Sequence, residues 1–558
     1  MRPAARAAAA AVLCLASSFA GACREGEAPE QATFEPPPTR GLILISVDAL
    51  RADHLGAYGY ELPASPFFDS LAARGTLFEQ AWIQYPATLT SHVSMLTGLY
   101  PQEHGVLLRN AVLSERIEMA PQRLRQHGFR TAGHTEGGFM GRMYGFDRGF
   151  EVFTDTQYEE ETDVERTFAR GLDFLSALGP EERFFLFLHT YTVHDPYDPP
   201  APYRSRFWPG PAPDTFEPTG PNLHEVNAGF RSVTPEAARY FAALYDAGIR
   251  YFDDVLRDFF ARLDGLGLGD ETTVIITSDH GEEFLEHGRL VHEQLYPEVG
   301  RVPLLFVFPG QTGPVRIDAP VESVDLAPTL YELAGIPVPA QVSGSSLVPL
   351  ITGAADGGER RAYVEIGAYP FSQTALVARH EGEHRQIVVT RPFTGDPDGT
   401  WFFGEVVLDT TAPRIAFEAL SFHHTRPLEV LVDGDPEQTI QLPTRWTPVT
   451  IELGSRRAGR RVTLRAADCQ SPARLGIKAS DTRCLAFKLR GIEPVRRELF
   501  DLSRDPTAQR DLSWDRPGEL RPLLRRLLSI DFTPRVAARS QALDARTEKT
   551  LRALGYLD

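Results

Sequence analysis

The sequence predicts an α/β protein built on a mostly parallel sheet with helices on both faces. Three observations carry that reading. Four short runs, Leu42–Val47, Phe184–Leu188, Thr273–Thr277 and Pro303–Phe308, are continuously or almost continuously apolar, the pattern of strands buried on both sides rather than on one. Helical periodicities lie between them, and alternating strands and helices favour a parallel sheet. Acidic residues stand directly after two of the runs, Asp48 after the first and Asp279 after the third. In open α/β sheets that edge, beyond the carboxyl ends of the strands, is where sites form.

Taken in chain order, residues 1–22 read as an export signal. Arg2 and Arg6 precede an apolar stretch through Leu15, and small residues close it at Ala20-Gly21-Ala22, a run too short to span a bilayer. Cys23 follows at once. This resembles the lipobox of bacterial lipoproteins, with Ala20 where leucine is usual. The expectation is a periplasmic or cell-surface lipoprotein anchored to the membrane through Cys23, with simple cleavage and secretion as the alternative. Residues 23–40, with Glu25, Glu27, Glu30 and Pro36-Pro37-Pro38, read as an extended tether. Residues 41–355 read as the catalytic α/β domain. Its clearest helix opens at Thr234-Pro235-Glu236, an N-cap followed by proline at the first helical position, and stops at Gly265. Residues 356–395 and 493–558 form a smaller C-terminal subdomain, with a helix over 518–529. Residues 396–492 change character to short β-rich runs around an Asp433-Gly434-Asp435-Pro436 turn. They read as a β-sandwich-like insertion. Cys469 and Cys484 lie within it, and an exported chain makes a disulfide between them the default expectation.

Composition narrows the chemistry. The 558-residue chain has 75 acidic against 57 basic residues and a net charge of −18, which disfavours a nucleic-acid partner held by an overall positive field. Only three lysines occur, Lys478, Lys488 and Lys549, and of four cysteines none lies between 24 and 468. Lysine or cysteine chemistry in the first two-thirds of the exported chain is therefore excluded.

Four segments offer candidate site residues: Ser46–Arg51, Thr88–Gly98, His189–Tyr197, and Ser278–Gly281 with His287 and His292 beyond it. A strand-end Asp48 together with Asp279-His280 gives two carboxylates and an imidazole, a donor set suited to a divalent cation of borderline hardness. These segments resemble the sulfatase family of the alkaline phosphatase superfamily. The landmarks are Asp48, Leu96–Pro101 with His104-Gly105, Tyr245-Asp246 through Asp253, Ser278–Gly281, Leu295-Tyr296 with Arg301–Leu304, Asp325–Leu330 and Glu498–Leu502. The likeness spans 41–395 and 493–515. It implies an alkaline-phosphatase-like fold and a metal-dependent ester hydrolase.

The departures from that family are specific. Where formylglycine sulfatases carry the C/S-x-P-x-R motif, this chain has Thr88, Thr90 and His92. The first acidic pair is Asp48-Ala49, Asp-Asn becomes Asp279-His280, and His292 replaces a lysine. The pattern is closer to members of the superfamily that use a threonine nucleophile. By that resemblance one metal ion (Mn, Zn or Ca) is held by Asp48, Thr88, Asp279 and His280, and Thr88 is the nucleophile. His194 and His292 are the expected catalytic histidines. Arg51 is a candidate substrate contact and equally a structural ion-pair residue; His92 is a candidate substrate contact, with orienting Thr88 or the helix start as its favoured role. A hydroxyl is a poor nucleophile until a cation or a base ionises it, and a helix starting after Thr88 favours developing negative charge there. The expected substrate is a phosphate or sulfate ester, glycan or lipid-linked, with the chemistry favouring phosphate. Two alternatives remain: a transferase passing a phospho-alcohol to a lipid or glycan, and a non-catalytic lipoprotein that binds a glycan or a partner.

Overall fold

The computed structural model describes residues 33–155, 163–358, 360–368, 371–392, 400–402, 405–410, 412–453, 460–467, 486–490, 496–513, 515–530, 532, 535 and 539–540. The expected signal, Cys14, Cys23, Cys469 and Cys484 lie outside the described residues.

The central sheet has eight strands: β1 (Gly41–Val47), β2 (Thr76–Phe78), β3 (Arg130–Thr135), β4 (Val152–Asp155), β5 (Phe184–Thr190), β6 (Thr272–Thr277), β7 (Leu304–Val307) and β8 (Val315–Ile317), in the spatial order β8-β2-β7-β6-β1-β5-β3-β4. Only β7 runs against its neighbours β2 and β6; every other pair is parallel. β1 lies between β5 and β6, and all of its residues are buried. Strand pleating explains its unbroken apolar run. Leu42 and Leu44 point into one core with Phe185, Phe187 and Ile275, while Ile43, Ile45 and Val47 point into a second core with Leu186, Leu188 and Ile276.

Helices α1 (Thr88–Thr97), α2 (Val164–Ser176), α3 (Gly220–Asn227) and α4 (Pro235–Gly265) cover the sheet. The Thr234 side chain caps α4 by accepting the Ala237 N–H at 3.1 Å, and Pro235 occupies the first helical position, as the sequence predicts. Among the described residues no helix is long and apolar enough to cross a membrane.

The described end of the expected tether is docked rather than loose. The Phe34 ring stacks on Phe308 at 5.4 Å, and its N–H donates to the Ile351 carbonyl at 3.0 Å. The C-terminal sheet is antiparallel and four-stranded: Arg361–Ala368, Phe371–His380, Glu383–Pro392 and Arg496–Asp501. The helix Pro517–Leu528 packs Leu523 and Leu527 against it. Its last strand pairs directly with Glu383–Pro392, so the segment between them leaves the sheet and returns to it. That segment builds two four-stranded antiparallel sheets around one core containing Phe417, Val430, Ile451 and Leu464. The predicted turn sits in one hairpin, with Asp433 and Gly434 at φ of 56° and 91°, the two positive values that a tight twisted hairpin demands.

Candidate active site

Register brings the acidic strand ends together. Ser46 of β1 lies opposite His189 of β5 on one side and Thr277 of β6 on the other. Asp48 and Asp279 therefore emerge side by side at the carboxyl edge of the sheet, both completely buried. Three buried atoms in this corner have no hydrogen-bond partner: Asp48 Oδ1, Asp279 Oδ2 and His280 Nε2. They lie within 4.8 Å of one another, and His280 Nε2 is 3.5 Å from each oxygen. Two donors bound to one tetrahedral ion at ordinary bond lengths stand about 3.4 Å apart. The three orphaned atoms thus fit a divalent cation, and a buried polar atom left without any partner is otherwise costly.

The protonation states agree with that use. Burial raises Asp48 well above the usual carboxylate range, and the neighbouring Asp279 carboxylate pushes it further up, a repulsion that a cation cancels. Burial holds His280 down to about 3. Its Nδ1 lies 2.9 Å from the Gly281 carbonyl; a neutral ring that donates there keeps the Nε2 lone pair for a ligand. Gly281 is required at that position because a Cβ would sit 1.9 Å from the Glu298 carbonyl oxygen.

A pinned loop aims the carboxylates. Ala49 is in the left-handed region at φ 60°. Its N–H donates to Asp279 Oδ1 at 3.3 Å, which leaves Oδ2 for the corner, and the Leu50 N–H donates to Ser278 Oγ at 3.0 Å. The Tyr245 hydroxyl, from α4, donates to the Ala49 carbonyl at 2.7 Å and accepts the Arg51 N–H at 2.8 Å. Tyr245→Phe removes both bonds from a loop in an unfavoured backbone conformation. The expected result is about a tenfold loss of metal affinity, read by direct metal titration. An unchanged affinity refutes the positioning role.

Thr88 is the first residue of α1 and is fully buried. Its hydroxyl hydrogen-bonds to Asp48, and the helix directs its early N–H groups toward the same point. His194 Nε2 lies 4.0 Å from Asp48 Oδ1. Burial alone would lower this ring, but the Asp195 and Asp48 carboxylates outweigh it and raise its pKa. His292 stacks near His280, with ring centroids 4.1 Å apart, and Nδ1 lies 2.9 Å from the Pro86 carbonyl. Burial, then His280 and His194, depress it well below the ordinary imidazole range.

For two residues the structure selects between the readings the sequence leaves open. Arg51 takes the structural one and does not face the corner as an anion contact. It is buried and committed to Asp53 through two bonds of 2.9 and 2.8 Å, to Glu286 at 2.5 Å and to the Glu282 carbonyl at 3.0 Å. Such a saturated guanidinium has a structural role. His92 is fully buried and has neighbours at both ring nitrogens. Nδ1 lies 2.8 Å from the Thr88 carbonyl and Nε2 lies 2.9 Å from Ser46 Oγ. Burial lowers it to about 4, so a neutral His92 ties the start of α1 to β1 instead of touching a substrate.

His189, which begins the candidate segment His189–Tyr197, stands with Nε2 3.3 Å from Asp48 Oδ2. Two further groups, His224 and Glu293, escape the sequence reading. His224 of α3 and Glu293 line the cavity that opens on Thr88 and His292. His224 Nδ1 lies 3.2 Å from Glu293 Oε1. Burial would lower His224, but its bond to Glu293 prevails and raises its pKa. Its sequence neighbourhood is rich in proline and glycine and has no periodicity that would single it out.

Comparison with known proteins places this geometry. The "Sulfatase" family model matches residues 40–336, and "N-sulphoglucosamine sulphohydrolase, C-terminal" matches residues 285–389. An arylsulfatase of Clostridium perfringens is 24% identical over 375 residues, covering 56% of this chain and 78% of the relative. A Delta 4,5-hexuronate-2-O-sulfatase of Bacteroides thetaiotaomicron is 25% identical over 345 residues, covering 56% and 71%. Among solved structures, the phosphonate monoester hydrolase of Agrobacterium radiobacter superposes with a TM-score of 0.55 at 16% identity, covering 89% of this chain and 95% of that one.

Proposed function

The chain belongs to the sulfatase family, and from that premise we propose that it is a metal-dependent hydrolase of phosphate esters with Thr88 as its nucleophile. The single observation that carries this reading is the meeting of the Thr88 hydroxyl with the orphaned Asp48, Asp279 and His280 atoms at the start of α1. Asp48, Asp279, His280 and Thr88 would hold one divalent ion. When bound it supplies Lewis acidity, lowering the pKa of a coordinated hydroxyl and neutralising charge on the ester.

Thr88 Oγ1 releases its proton to solvent and attacks phosphorus, the P–O bond to the alcohol breaks, and the leaving oxygen takes a proton. His224, biased toward its charged form by Glu293, stands in the cavity wall as the donor. His194, already biased toward its charged form, donates Nε2–H to a non-bridging oxygen. His292 is neutral without an anion beside it, and a dianionic head reverses that balance. Water then gives a proton to the neutral His224 and attacks phosphorus, the P–Oγ1 bond breaks, and Thr88 Oγ1 regains a proton from solvent.

Chemistry favours phosphorus over sulfur. Formylglycine expels sulfate through its hydrate, whereas a threonine sulfate ester has no such route. Relatives and structural neighbours include both sulfatases and a phosphonate monoester hydrolase, so both esters belong in the test. The expected result with paired aryl sulfate, phosphate monoester, phosphate diester and phosphonate substrates, each run with Mn, Zn and Ca, is faster phosphorus than sulfur release by at least about a hundredfold. Faster sulfate release with every metal refutes the phosphate preference.

A further inference from the structure

We propose that the cavity beside Thr88 takes an ester of an alcohol whose carbon skeleton carries no hydroxyls, a branched alkyl or single-ring alcohol, and not a sugar. This inference deepens the reading of Thr88 as the reacting group and rests on it.

The cavity, about 260 Å³ in volume, is divided chemically. Thr88, His292, His224 and Glu293 line its reacting end. The remaining wall is built mainly from Tyr85, Leu107, Leu108, Phe139 and Ile366, with Thr90 and Arg109 as its polar side chains. Tyr85 offers its ring, because its hydroxyl is engaged with the backbone of Gly367, 3.2 Å from the N and 3.4 Å from the O. Phe139 and Ile366 are buried, while Leu107 and Leu108 are 40% and 66% exposed. The apolar surface therefore continues outward from the reacting centre to the rim.

Size and polarity together select the alcohol. A dry apolar cavity of about 150 Å³ holds a benzene ring, so this one has space for a tetrahedral anionic head and one ring or branched chain. A sugar would press several hydroxyls against Phe139, Ile366 and the leucines. Each hydroxyl left without a partner there weakens binding, whereas each buried methylene strengthens it. The contrast is with a relative named for a hexuronate sulfate.

The test compares three primary-alcohol phosphates of similar leaving-group chemistry: cyclohexylmethyl phosphate, methyl phosphate and glucose 6-phosphate. Binding is measured by calorimetry on the metal-loaded full chain, with cyclohexylmethylphosphonate and methylphosphonate as ligands that hold no ester bond. The expected result is at least about a tenfold preference for the cyclohexylmethyl member over the methyl and glucose members, in kcat/KM and in binding. Leu108→Asp, at an exposed position that does not threaten folding, lowers the cyclohexylmethyl-to-glucose ratio at least about fivefold. Equal binding of all ligands, preferred binding of glucose 6-phosphate, or an unchanged ratio in Leu108→Asp overturns the proposal. Selective binding of the cyclohexylmethyl ligand with no turnover of any ester upholds the cavity assignment and overturns the Thr88 reading.

Discussion

Thr88→Ala lowers kcat/KM for phosphate esters by at least about a thousandfold. The Thr88 hydroxyl lies at the N-terminus of α1 and hydrogen-bonds to Asp48, and no cysteine or lysine lies nearby in sequence to replace it. The variant keeps its fold, because removing one buried hydroxyl and methyl at a helix start leaves the two cores on either side of the sheet intact. Asp48, Asp279 and His280 still bind metal, more weakly. Thr88→Ser retains a primary hydroxyl and loses much less. Rapid acid quenching of the wild type during turnover should trap one phosphoryl group on the peptide containing Thr88. Undiminished activity in Thr88→Ala, or a phosphoryl group trapped on another residue, eliminates the threonine mechanism.

Asp48→Asn has two effects of opposite sign. It removes one of the two charged groups that stand 3.5 Å from His280 Nε2, so metal affinity falls at least about a hundredfold and activity falls with it. It also removes one of two repelling buried carboxylates, so the metal-free variant is more heat-stable than metal-free wild type. The pH dependence follows from the direction of the Asp48 shift. A carboxyl whose folded pKa is raised binds its proton more tightly folded than unfolded. Its contribution is fully present below the unfolded value of about 3.9 and is lost as pH rises through the raised folded value. Metal-free wild type should therefore lose stability as pH rises from about 4 toward neutrality, and Asp48→Asn should lose less. Calorimetric melting across that range with a chelator present provides the measurement. A metal-free Asp48→Asn that melts below wild type at neutral pH contradicts the account.

The strands that carry the site were legible because burial on both faces imposes a local rule. β1 and β5 are apolar at almost every position and β6 carries Val274-Ile275-Ile276 between threonines, and that pattern needs no partner to be recognised. The same holds for α4, whose cap and first-turn proline act within four residues. Asp48, Asp279 and His280 were legible through position, since they follow such strands. The threonine expectation rested on likeness to a family and on the lack of cysteine and lysine.

Arg51 and His92 show where sequence stops. Each could as well have met an anion as a protein group, and the choice depends on neighbours distant in the chain. Glu286 is 235 residues from Arg51, and Ser46 is 46 residues from His92. His224, and the role of the landmark Tyr245, were hidden for the same reason: their partners, Glu293 and the carbonyl of Ala49, are brought to them only by folding.

The sequence by itself determined the α/β class, the carboxylate and imidazole donors at the strand ends, and the exclusion of cysteine and lysine chemistry, because strand burial and composition are local or global properties of the chain. The tertiary structure alone decided which buried atoms lack partners, which histidines are pushed toward or away from their charged forms, and which wall of the cavity is mainly apolar. Those properties depend on desolvation and on charges a few ångströms away, and residues far apart in sequence supply both.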